Sequence, residues 1–169
     1  YRSVYSEVFP RFKKRGWPFT VFVTTESVDE KHSIVMTWDQ MREMQKKGVS
    51  FSPHSHTHPY MIKRLPEESL SDWKIRMMSD IGINRKRLEE ELGSTSKLFA
   101  YPYGEYDLET KRLISEMGLI GVGQQSGVIW KYSDFSALPR FPMSGIYAEM
   151  NGFKTKVNAL PMPVKKVTP

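Results

Sequence analysis

The chain has 169 residues, 39% of them hydrophobic and 26% charged, which is enough for one domain with a real core. No apolar run is long enough to span a bilayer, and the absence of cysteine excludes disulfides and thiolate zinc sites. The net charge of +6 is spread along the chain, with no basic stripe carrying interleaved aromatics, so no nucleic-acid partner is expected. Lys13-Lys14-Arg15, Lys46-Lys47 and Arg85-Lys86-Arg87 read as solvated helix ends and faces.

Val4 to Arg15 has helical spacing and stops at Gly16, with Pro10 expected to make its first half irregular. Phe19 to Val23 reads as a buried strand, rich in β-branched and aromatic residues. Thr37 to Lys47 is a helix N-capped by Thr37, with Met41 and Met44 as its apolar stripe and Gly48 closing it. A strand over Val49 to Ser52 leads into a histidine tract. Pro66 to Leu92 predicts one long helix, ended by Gly93 and weakened at Gly82. Lys97 to Tyr101 is a short strand, Leu108 to Met117 a helix before Gly118, and Leu119 to Val122 a further strand. This alternation predicts parallel βαβ units in an α/β fold. The domain is expected to run over residues 1–160, with 161–169 a linker or the start of a further segment. Tyr1 is not a natural start, and the chain reads as a mature product or an excised fragment.

Three of the four histidines fall within Ser52-Pro53-His54-Ser55-His56-Thr57-His58-Pro59. Neutral imidazole is the commonest protein ligand for a transition metal, and two imidazoles at short spacing can share one ion. The tract follows a strand, where α/β folds place their ligands. The same short spacing also suits a solvated loop. Phe99-Ala100-Tyr101-Pro102-Tyr103-Gly104-Glu105-Tyr106-Asp107 follows another strand. Taken alone it is a strand-to-helix turn, with Asp107 as the helix cap. If the two strands are parallel, both loops open on one edge, and the Tyr103 N–H can face a metal held by His54 and His58.

With these motifs in this order, the chain resembles the polysaccharide deacetylases of the NodB-homology type, carbohydrate esterase family 4. It is most similar to the branch acting on poly-β-1,6-N-acetylglucosamine. The resemblance covers Tyr1 to Pro142 and includes Ala137-Leu138-Pro139-Arg140-Phe141. It implies a distorted (β/α) barrel and hydrolysis of N-acetyl or O-acetyl groups on an exported polysaccharide. The implied location is extracellular, periplasmic or in the cell envelope. It implies a divalent metal, zinc first with cobalt and nickel as alternatives, held by His54, His58 and an aspartate. Ser55 and Thr57 are then expected to brace the loop, and His56 to point away. The Tyr103 N–H is expected to stabilise the oxyanion, and Arg140 to orient a catalytic carboxylate. Trp130 and Tyr132 are expected either to stack on sugar rings or to pack.

Two motifs of that family do not appear. One is Thr-Phe-Asp-Asp-Gly, which supplies the general base and third ligand; Tyr1-Arg2-Ser3-Val4-Tyr5 matches the residues just after that motif. We therefore expect the first barrel strand to be missing from this chain. The other is a late Leu-x-His, since no histidine follows His58. Asp29, Asp39 and Asp107 are the remaining carboxylate candidates, the last two better explained as helix-start residues. Weak zinc affinity and little or no turnover are expected. The rival readings are an amidohydrolase-type site built on His-x-His, which needs later histidines, and a non-catalytic carbohydrate-binding or scaffold domain with a degenerate metal site.

Overall fold

In a computed structural model of the chain, which describes residues 1–159, the first helix is irregular as Pro10 requires. Val4–Val8 form a π-helical turn that runs into α1, Phe9–Arg15. The Phe9 N–H reaches back to the Val4 carbonyl, and this widened turn accommodates a proline that has no N–H to give. Gly16 closes α1 at φ 65°.

Strands β1, Thr20–Val23, and β2, Ser50–Pro53, pair in parallel with Val21 opposite Phe51. Between them lie α2, Thr25–Asp29, and α3, Trp38–Gln45. Five residues are too few to show a helical period, so α2 was not expected. Helix α3 starts at Thr37, whose hydroxyl accepts the Gln40 N–H in a capping box.

Helix α4 runs over Leu70–Leu92, four residues shorter at its start than the spacing predicts. Ser69 takes the cap by accepting the Asp72 N–H, and Glu67 is left-handed at φ 60°, so the segment before it cannot be helical. Glu68 is instead tied to Arg76 and to the Leu65 N–H. The helix passes Gly82 unbroken.

Strands β3, Leu98–Ala100, and β4, Ile120–Val122, form a second parallel pair joined by α5, Leu108–Glu116. Val122 also bridges Leu138 in parallel, which draws the segment before Arg140 alongside β4. Among the described residues the strands form two parallel pairs with β2 beside β3; they do not close a barrel. Helix α6, Met150–Asn158, shows no signal strong enough to predict. The expected domain end at 160 and the segment 161–169 lie outside the described residues.

The core has two halves. Phe9, Val23, Met41, Met44 and Phe51 pack in one, and Met61, Phe99, Tyr101, Leu113 and Ile114 in the other. Helix α4 spans both, with Trp73, Met77 and Ile81 in the second and Leu88 and Leu92 in the first. Its buried stripe is apolar at both ends and polar in the middle, where Asp80 and Asn84 fall.

Candidate active site

The polar middle of α4 faces the histidine loop. The Asp80 carboxylate accepts from the His56 N–H at 2.8 Å, the Thr57 N–H at 3.0 Å and the Thr57 hydroxyl at 2.7 Å. The Asn84 amide, fully buried, donates to the carbonyls of Val23 at 2.9 Å and Ser55 at 2.6 Å, and to the Thr25 hydroxyl at 3.1 Å. Within the loop the Ser55 hydroxyl accepts the His58 N–H at 3.0 Å. Ser55 and Thr57 thus brace the loop by hydrogen bonds. Ser55 and His58 are both left-handed, at φ 64° and 57°. Such a conformation costs a non-glycine residue about 1–2 kcal/mol, and the hydrogen bonds to α4 offset it. Asp80 and Asn84 were not foreseen as site residues. Their signal was a carboxylate and an amide on an otherwise apolar helical stripe.

The three histidines divide. His56 faces α2: its Nδ1 lies 2.8 Å from the Thr25 hydroxyl, and its carbonyl accepts the Glu26 N–H. His54 and His58 turn toward each other, with ring centroids 4.9 Å apart at 73°. His54 Nδ1 lies 2.7 Å from the Ala100 carbonyl, at the end of β3. A carbonyl can only accept, so Nδ1 carries the proton and Nε2 keeps its lone pair. Burial pushes His54 down to about 4 against the opposing hydrogen bond to Ala100, with smaller lowering from His58 and Arg140. Burial also lowers His58, against an opposing pull from Asp80. Both imidazoles are therefore neutral near pH 7, as metal ligands must be.

The donor set fits a transition metal in part. Two neutral imidazoles converge, one already held by an outer hydrogen bond, as in histidine metal sites generally. Among the described residues no group of three His, Asp, Glu or Cys side chains gathers around an ion-sized space. The aspartates are committed elsewhere: Asp29 to Arg87 and Trp38, Asp39 to Arg42, and Asp107 to capping α5.

Tyr103 stands beside this pair. Its ring centroid is 4.5 Å from that of His58, and its backbone is left-handed at φ 57°. The turn is closed by the Gly104 N–H on the Tyr101 carbonyl at 2.9 Å, while the Tyr103 N–H has no partner among the described residues. Arg140 is half-buried close enough to influence His54, and burial lowers its own proton affinity. It pairs with no carboxylate among the described residues. Trp130 and Tyr132 pack edge-to-face on each other at 4.8 Å, with Tyr132 exposed and Lys131 over its ring.

A cavity of about 330 Å³ reaches from the histidines to β1, and its lining includes the polar Thr24, Glu26 and Thr57 and the apolar Val21, Ile34 and Met36. This cavity opens onto the histidine pair, and a concave site of this size beside neutral imidazoles suits a small ligand group.

Comparison with known proteins places the chain by sequence and fold. The sequence model described as polysaccharide deacetylase matches residues 1–122. The Bacillus subtilis protein YxkH, which carries a polysaccharide deacetylase name, is 27% identical over 145 residues, or 85% of this chain and 48% of its own length. A Staphylococcus aureus poly-β-1,6-N-acetyl-D-glucosamine N-deacetylase is 25% identical over 147 residues, or 84% of this chain and 51% of its own. The chain thus spans about half the length of these relatives. Among solved structures, the BpsB deacetylase domain of Bordetella bronchiseptica superposes with a TM-score of 0.76 at 26% identity, over 83% of this chain and 66% of that one. With the family model covering most of its length, this chain belongs to the polysaccharide deacetylase family.

Proposed function

We propose that this chain carries the metal-binding and oxyanion-stabilising part of a site that hydrolyses N-acetyl or O-acetyl groups on a polysaccharide. The observation that carries the reading is the His54–Ala100 hydrogen bond, which fixes one imidazole with Nε2 free beside a second neutral imidazole. His54 and His58 are the residues that would hold the ion, with zinc favoured and cobalt or nickel as alternatives. A bound metal supplies the Lewis acid that polarises the acetyl carbonyl and acidifies the attacking water.

The chain's own groups do the rest. Asp80 and Asn84 keep the loop rigid, so the imidazoles do not reorganise as charge develops. The free Tyr103 N–H donates to the oxygen that gains charge as the acetyl carbon becomes tetrahedral. Arg140 orients a catalytic carboxylate, a role that suits a half-buried guanidinium without an acid partner among the described residues. No described residue is assigned as general base or third ligand. The relative acting on poly-β-1,6-N-acetyl-D-glucosamine makes an acetylated exopolysaccharide the favoured substrate, and with it an extracellular or envelope location. No helix among the described residues is long and apolar enough to cross a membrane.

Calorimetric zinc titration of the chain beside a His54→Ala, His58→Ala double variant tests this. Binding by the parent that is lost in the variant supports the site, while equal binding by both rules it out. Assay of acetylated glucosamine oligomers then separates the readings. Slow turnover that requires zinc favours the deacetylase, and zinc-independent retention of oligomer without turnover favours a carbohydrate-binding domain.

A further inference from the structure

The column of rings beside the histidine pair extends beyond it. Tyr60, two residues after His58, lies flat on Tyr103 with centroids 3.9 Å apart and planes within 2°. The Lys63 ammonium sits over the Tyr60 ring at 4.2 Å from its centroid. The order is therefore Lys63, Tyr60, Tyr103, His58, His54. None of the motifs read from the sequence includes Tyr60.

Two features of this column call for a cause. Close parallel stacking of two phenol rings sets their negative faces against each other, and offset or edge contacts are preferred. A cation over Tyr60 draws on that ring's charge and relieves the repulsion. Tyr103 is also 44% exposed, so burial does not hold it in place, yet it keeps a left-handed backbone that L-residues avoid. Side-chain direction follows backbone conformation. If Tyr103 relaxed to negative φ, its ring would leave both Tyr60 and His58. The stack and the left-handed backbone therefore stabilise each other, and the preceding Pro102 and following Gly104, at φ 73°, allow the turn.

We propose that Tyr60 is a positioning residue: its ring clamps Tyr103 against His58 and so holds the Tyr103 backbone, with its unpaired N–H, in the left-handed conformation. The functional value of the clamp rests on the reading of that N–H as the oxyanion donor. Tyr60 and the two histidines share one loop, so that loop would set both the metal ligands and, through the stack, the donor on the neighbouring turn.

The test uses the isotopically labelled chain and the three-bond couplings that report φ at Tyr103. Tyr60→Phe keeps the face and should keep the left-handed couplings. Tyr60→Ala should shift them to negative φ, with resonances away from the two loops unchanged. Unchanged couplings in Tyr60→Ala overturn the clamp. Should Tyr60→Ala disturb the whole spectrum, Tyr60→Leu, which keeps bulk without a π face, gives the same readout. A second arm titrates acetate onto the zinc-loaded chain. Losing one hydrogen bond to a charged acceptor should weaken acetate about tenfold in Tyr60→Ala, while zinc affinity and the Tyr60→Phe value stay at the parent's. Shifted couplings with unchanged acetate affinity would keep the clamp and overturn the oxyanion reading of the N–H, so the two claims fail separately.

Discussion

His54 shows how one side chain records its surroundings. It gives its Nδ1 proton to the Ala100 carbonyl, and burial holds it at about 4 against 6.5 for a free imidazole. The unfolded chain therefore binds more protons than the folded one between those two values, and His58 is shifted in the same direction. With a depressed folded value, the stabilisation is complete above the unfolded value and is lost as pH falls toward the folded one. We expect the metal-free chain to lose on the order of 3 kcal/mol through His54 alone between neutral pH and pH about 4. Urea unfolding from pH 7 down to 4 measures this, and His54→Gln should flatten the profile; equal slopes in both proteins would remove His54 as the cause. The histidine tract was legible because three of the four histidines fall in one short run after a strand. Asp80 and Asn84 were not, because they act from a distant helix and their roles appear only when α4 crosses the loop. Asp39 and Asp107 take the helix-start places expected for them, and Asp29 pairs with Arg87, so none of the three stands beside the histidine pair.

At the scale of elements, helix-closing glycines and hydroxyl caps sit where the sequence places them, while the start of α4 does not. Gly16, Gly93 and Thr37 end or start their helices as expected, because left-handed closure and hydroxyl capping are local properties. Helix α4 begins later than the spacing predicts because Ser69, whose hydroxyl accepts the Asp72 N–H, takes the cap. Helices α2 and α6 lacked a strong enough period to be seen. Close approach between elements was equally hidden. Gly121 in β4 gives its N–H to Phe135 and accepts from Leu138. A methyl group there would lie 2.1 Å from the Ser136 carbonyl oxygen and 2.7 Å from the Tyr101 ring. That same carbonyl accepts the buried Tyr101 hydroxyl at 2.6 Å, so it cannot retreat without breaking a hydrogen bond. Gly121→Ala should therefore cost about 2–3 kcal/mol. Gly82, with open space around it in α4, should instead gain about 0.5–1 kcal/mol as alanine. The denaturation midpoints of the two variants should move in opposite directions, and a tolerated Gly121→Ala would show that the Ser136 segment yields.

For the whole molecule, the main consequence lies along β1. Phe19 and Val23 direct their carbonyls to Ser50 and His54 of the β2 side. Alternation along a parallel ladder then leaves the N–H and carbonyl of Phe22 on the opposite edge. The described residues place no strand there, and the cavity that reaches the histidines runs beside it, with Ile34 and Met36 among its walls. An unpaired edge flanked by apolar side chains is a template for another strand. We expect sedimentation velocity to show association that grows with protein concentration. The net charge of +6 opposes contact between copies, so added salt should strengthen association by screening that repulsion. Association through ion pairs would weaken under the same conditions. Thr20→Lys adds a charge at the exposed start of this strand and should reduce the effect. A compact monomer at every concentration and salt level would mean that the edge is protected, and that the open flank of β1 does not govern how the chain behaves in solution.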